Sequence, residues 1–253
     1  MKHFARESKP IFSCSCSNYH SLVFLLRFYP DEKHLDIDHT LSRHRYLTVN
    51  DGLHKPNYLL SIPITDPSFI SHYITYRDHL LASYPSLFSS SSSIDPHYLH
   101  LTLLTLRLES SQQIEQLILA LKRIQEEIHY HCSYPERIWL EFQGMDTFHG
   151  KIFFIKCQAN HRLENLRALI IERFYEQKQK QKIPDVFFAG NYQEFIPHIV
   201  LFKNKRKLSC MDPYQTEKIY FGKQTIDALE LSSIQTNENE PQKNHCIFKL
   251  DLS

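Results

Sequence analysis

Residues 98–108, Tyr-Leu-His-Leu-Thr-Leu-Leu-Thr-Leu-Arg-Leu, constrain this chain more than any other segment. Over its first half polar and apolar side chains alternate with a period of two, which an extended strand sorts onto two faces. His100, Thr102 and Leu104 are expected on one face, and Leu99, Leu101 and Leu103 on the other. A histidine and a hydroxyl two residues apart on one strand face are placed to act on the same ligand.

The neighbouring segments supply the rest of a sheet. Residues 58–65 form an aliphatic run that ends in a turn-like Asp66-Pro67, and read as a strand. Residues 68–82 repeat apolar positions at helical spacing, and a serine-rich stretch over 83–93 then reads as a flexible surface loop. After Ser110 or Ser111, either of which can cap a helix, Ile114, Leu117, Ile118, Leu121 and Ile124 form an apolar stripe. Strands are expected at 137–143 and 152–157, a helix at 163–179, and strands at 195–202, 224–234 and 246–252. Strands and helices thus alternate in two comparable halves, which predicts two α+β lobes. Residues 1–55 differ: they are polar and rich in histidine, with a single apolar run at 21–28 that suits a strand at a sheet edge.

Composition narrows the chemistry. Of 253 residues 42% are hydrophobic and 23% charged, which is ordinary for a folded soluble protein. Only five are glycine, and neither GxGxxG nor GxxxxGK[ST] occurs, so glycine-loop nucleotide binding has no support. A net charge of +1 excludes a polycation that coats nucleic acid, so any anion site must be local. No apolar run is long enough for a signal or a membrane span, and an intracellular protein, cytoplasmic or nuclear, is expected. The six cysteines are then reduced thiols rather than a disulfide framework. Cys14 and Cys16 lack a partner pair at zinc spacing, and no metal site or cofactor is expected.

A second histidine strand, Phe195-Ile-Pro-His-Ile-Val-Leu-Phe202, completes the pattern. With its two His-bearing strands, His100-Leu-Thr-Leu103 and His198-Ile-Val-Leu201, the chain resembles the 2H phosphoesterase superfamily, marked by one His-x-[Ser/Thr] strand per lobe. Within it the chain looks most like the central, nucleotide-binding domain of the A-kinase anchoring protein branch. Residues 56–65, 99–104, 142–148 and 196–203 carry that likeness, in the family's order. A single His-x-[Ser/Thr] is weak, since sixteen histidines give about two by chance. His131-Cys-Ser133 is such a decoy, outside any alternating strand.

The resemblance implies a bilobal α+β fold, two pseudo-symmetric lobes of antiparallel sheet with outer helices, over residues 56–253. Residues 1–55 remain an extension of unknown role. It also implies a metal-independent phosphodiesterase in which His100 and His198 exchange protons with the attacking and leaving oxygens while Thr102 holds the phosphate. Its substrates would be 2′,5′-linked oligonucleotides or 2′,3′-cyclic phosphates of nucleotides and short RNA. Val200 stands where the second strand should carry Ser or Thr, so one phosphate-binding hydroxyl is missing. The competing expectation is a nucleotide-binding or scaffolding module without turnover. Phe148, in a loop expected between Gly144 and Gly150, is a candidate to stack on a base, and Lys203, which opens a basic run to Lys207, is a candidate to hold the backbone. Kinase anchoring in that branch uses an amphipathic helix after the domain, and the chain ends soon after a strand, so anchoring is not expected. A monomer is expected.

Overall fold

The structure, a computed structural model, describes residues 55–85, 91–158, 160–179, 187–188, 195–204, 218–234 and 244–252. The apolar run at 21–28, with the rest of residues 1–54, lies outside them. In chain order the elements are β1 (Tyr58–Pro63), α1 (Pro67–Ser83), β2 (Ser91–Ser93), β3 (His100–Arg107), α2 (Ser111–Arg123), α3 (Gln125–Ser133), β4 (Trp139–Phe148) and β5 (Ile152–Cys157). There follow α4 (His161–Gln179), β6 (Phe187–Phe188), β7 (His198–Asn204), β8 (Tyr220–Thr225), β9 (Ala228–Ile234) and β10 (Asn244–Asp251).

The strands form two antiparallel sheets with the orders β10-β9-β1-β3-β6 and β8-β4-β5-β7-β2. A histidine strand, β3 or β7, is fourth in each, and the two lie next to one another where the sheets meet. The bilobal, pseudo-symmetric α+β fold expected from the sequence is the fold observed.

Local chemistry sets the helix starts. Asp66 accepts a hydrogen bond from the Phe69 amide at 2.7 Å and Pro67 occupies the first turn, where its missing N–H costs nothing. Ser110 and Gln113 cap α2 reciprocally as a capping box.

Helix α1 covers the second sheet, whereas α2, α3 and α4 meet the first. From α1, between β1 and β3, fully buried Phe69 packs edge-on against Phe142 of β4 at 4.8 Å and beside Phe221 of β8. Burying such a ring stabilises the fold by about 1.5–3 kcal/mol. Gly222, facing Phe69, adopts φ +136°, a conformation that L side chains rarely take, so the backbone rather than the space calls for glycine there. In the opposite sense, α4, which follows β5, sends Arg167 to the carbonyl of Leu103 in β3 at 3.0 Å. His129 and Gln125 of α3 bond the Leu252 and Asp251 carbonyls at the end of β10.

Three local expectations are corrected. The strand predicted at 224–234 is two strands in different sheets: Thr225 Oγ donates to the Asp227 carboxylate at 2.9 Å, and this side-chain-closed turn sends β8 and β9 apart. Part of the serine-rich segment, Ser91–Ser93, is an edge strand paired with β7, since β7 offers it an unpaired edge; residues 86–90 lie outside the described residues. The loop expected between Gly144 and Gly150 is mostly strand, with β4 running to Phe148 before His149 and Gly150 turn at positive φ.

Candidate functional site

β3 and β7 are built alike around their histidines. Each carries a β-bulge three residues after the histidine: Leu60 and Ser61 pair with Leu104 and Thr102 and skip Leu103, while Phe153 and Phe154 pair with Phe202 and Val200 and skip Leu201. A bulge turns two consecutive side chains to one face. Leu103 and Leu104, like Leu201 and Phe202, are therefore all buried. This corrects the placement of Leu104 beside His100, because strict alternation fails at the bulge. The same shift of phase brings Lys203, rather than Phe202, to the half-buried face that holds His198 and Val200.

The two imidazoles are held identically. Nδ1 of His100 lies 2.8 Å from the Tyr98 carbonyl, and Nδ1 of His198 lies 2.7 Å from the Ile196 carbonyl. A carbonyl only accepts, so each Nδ1 carries the proton and donates it, which leaves Nε2 as the atom that takes up or gives a proton. Burial lowers the pKa of both imidazoles, partly opposed by these hydrogen bonds. The Lys203 ammonium lowers both further, and His198 lowers His100. One cation and two histidines thus share one electrostatic neighbourhood. Lys203 is itself held below the usual ammonium range by burial.

The faces around the histidines differ. On the His100 side the sheet register gives a row Thr102, Ser61, Glu230 across β3, β1 and β9. The corresponding row on the other side is Val200, Phe154, Asp146 across β7, β5 and β4. Phe148 stacks on Phe154 at 4.3 Å, and both rings contact His198 at 5.0 Å. Val200, half-buried, packs against the core.

Of the residues singled out in the sequence, His100, His198 and Lys203 are brought together, Phe148 reaches His198, and Thr102 and Val200 stand two residues from their histidines on the same face. Phe154, Ser61 and Glu230 were not foreseen. Only the strand register places them in the histidine rows, and no motif marks it. The decoy His131-Cys-Ser133 ends helix α3, away from both histidine strands. Beyond Asn204 the basic run lies outside the described residues.

Residues 56–252 match the profile of the AKAP7 2′5′ RNA ligase-like domain. The chain belongs to this family. Human A-kinase anchor protein 7 isoform gamma is 23% identical over 208 residues, which cover 76% of the chain and 56% of that relative. The chain therefore spans little more than half the length of that relative. Among solved structures, apo LigT of E. coli is similar with a TM-score of 0.54 at 14% identity, over 78% of this chain and 98% of that one. The MHV ns2 PDE domain is similar with a TM-score of 0.50 at 16% identity, over 72% and 100%. LigT has also been solved with 3′-AMP and with ATP. The AKAP7 2′5′ RNA ligase-like domain thus has the bilobal fold of the 2H phosphoesterases. Among the described residues no helix is long and apolar enough to cross a membrane, and no group of three or more His, Cys, Asp or Glu is placed to hold a metal ion.

Proposed function

We propose that the chain is a phosphodiesterase that cleaves 2′,5′-linked oligonucleotides or opens 2′,3′-cyclic phosphates through His100 and His198. The observation that carries this reading is the matched pair of Nδ1-anchored imidazoles, each freeing Nε2, in one electrostatic neighbourhood with Lys203. One neutral Nε2 removes the proton from the attacking oxygen as the new P–O bond forms. The other, protonated, gives its proton to the oxygen that leaves as the old P–O bond breaks. The lowered pKa values favour the neutral form, and the phosphate's negative charge offsets this for the partner that must be protonated.

Thr102 donates to a nonbridging phosphate oxygen, and Lys203 supplies the positive charge on the side where Val200 offers no hydroxyl. A charge-assisted contact is about twice as strong as a neutral one, so a lysine brought round by the bulge can offset a missing threonine. Phe148 offers its ring to a base on the His198 side. The chain acts without a metal cofactor, as one polypeptide, in the cell interior.

A second reading, nucleotide binding without turnover, is favoured by the apolar pair Val200 and Phe154, which replaces Thr102 and Ser61 on the His198 side. The two are separated by incubating the protein with 2′,5′-oligoadenylate, a 3′,5′ control and a 2′,3′-cyclic nucleotide, with and without EDTA, followed by chromatography. Chelator-resistant product from the first or third substrate supports the phosphodiesterase. Nucleotide binding with no product from any of them supports the second reading.

A further inference from the structure

A cavity of about 330 Å³ opens beside His100, at the end of the first sheet, with Ser61, Glu230, Ser232 and Tyr98 in its lining. It is large enough for part of a small ligand, and its wall mixes an aromatic ring with a few polar groups, as ligand pockets do. Ser61 and Glu230 are the same residues that continue the Thr102 row, so the cavity runs on from the face that carries His100.

Glu230 decides what can enter. It is half-buried, and its carboxylate makes no hydrogen bond or ion pair with another described residue. Lys249, its cross-strand neighbour, is instead paired with Asp251 at 2.9 Å. Burial raises the carboxyl above its usual range, Lys249 opposes this and Asp251 adds to it. An ionised carboxylate only accepts hydrogen bonds, so beside it, in a cavity that His97 and His245 also line, a neutral donor is attracted.

We propose that this cavity is the subsite for the nucleoside on the His100 side, and that Glu230 there selects a base bearing an exocyclic amine over one with a carbonyl at the same position. Tyr98, exposed at the mouth, offers a face for the ring. The proposal rests on the reading of the groove as a nucleotide site. Its consequence is discrimination without sequence-wide recognition: a carbonyl in place of the amine leaves a half-buried acceptor facing another acceptor, a mismatch that sites built around a hydrogen bond reject strongly.

The test is calorimetric binding at pH 7.5 of the 2′- and 5′-monophosphates of adenosine and inosine, which differ in the amine or carbonyl at position 6 and in the proton that inosine carries at N1, to the wild type and to Glu230→Gln. Glutamine keeps the shape but offers both a donor and an acceptor, so it no longer separates the two bases. Wild type is expected to bind at least one adenosine monophosphate about tenfold or more tighter than its inosine counterpart, and Glu230→Gln to bring that ratio near one. Equal binding by wild type, or a preference that survives in Glu230→Gln, overturns the subsite. A cleavage assay on the same preparations separates the two levels. Glu230-dependent preference with no cleavage of any dinucleotide keeps the subsite and removes the phosphodiesterase reading, whereas cleavage without preference does the reverse. Absence of any nucleotide binding removes both.

Discussion

The face around His100 is polar, with Thr102, Ser61 and Glu230 in one row, while the face around His198 is aromatic and apolar, with Val200, Phe154 and Phe148. The backbone hardly distinguishes them: both strands bulge at the same offset and both histidines donate Nδ1–H to the carbonyl two residues before. A scaffold repeated within one chain can therefore keep its geometry while its two faces specialise. Strand register and bulges follow from backbone pairing and buried leucines, and these tolerate different side chains on the open face.

The sharpest way to break the comparison is to remove each histidine. If the two backbones impose equal roles, His100→Ala and His198→Ala each lower kcat/KM on 2′,5′-oligoadenylate by about 10²- to 10⁴-fold with unchanged circular dichroism. Full activity in His198→Ala would reduce the aromatic half to a binding surface.

Lys203→Gln comes next. It removes the charge-assisted phosphate contact, and substrate affinity should fall about tenfold to a hundredfold in steady-state kinetics. The same change has a signature in pH. Lys203 holds both imidazoles down, since a nearby cation disfavours imidazolium, so its removal lets both pKa values rise. For wild type the bell-shaped profile of kcat/KM should be centred below about 6.5, the ordinary imidazole value, and in Lys203→Gln both limbs should move to higher pH. A profile that stays in place would separate Lys203 from the histidines.

Thr102→Val makes the polar half copy the apolar one, and about a tenfold loss in kcat is expected if its hydroxyl meets charge that grows in the transition state. Val200→Thr is the converse and the smallest effect. A neutral hydrogen bond contributes about 0.5–1.5 kcal/mol, or roughly two- to tenfold in kcat/KM. The β-branched shapes match, so the fold should be undisturbed. No gain would mean that Phe154 and Val200 have closed this half around an apolar contact.

Much of this comparison was legible in the sequence. The two histidine strands, the capped helix at Ser110 and the bilobal α+β plan follow from periodicity and capping residues, which are local properties. The missing hydroxyl at Val200 showed only against the His-x-[Ser/Thr] pattern of the family that the chain resembles. What periodicity cannot show is non-local. Strict alternation placed Leu104 beside His100, and only the pairing of β1 with β3 reveals the bulge that turns it inward. The apolar run at 224–234 read as one strand because nothing in its hydrophobicity records that Asp227 closes a turn between two sheets. Glu230 sat unnoticed in that run, since its place in the row depends on β9 pairing with β1 across 169 residues of sequence.

The crossed helices have a consequence for how this domain can be taken apart. The carbonyl of the bulged Leu103 is held by Arg167 from α4, and that of Leu201 lies 3.5 Å from the Tyr73 hydroxyl of α1. Arg167 also lies over the Phe195 ring at 4.9 Å, three residues before His198. Each half thus keeps the fastener of the other. Severed between α3 and β4, the chain would leave β1 and β3 in one fragment and their sheet neighbours β6, β9 and β10 in the other, and each histidine strand would lack its clasp. Such fragments would have to be mixed to fold, each completing the other, and the recovery of activity on mixing would report the docking of two incomplete pieces rather than the meeting of two finished ones.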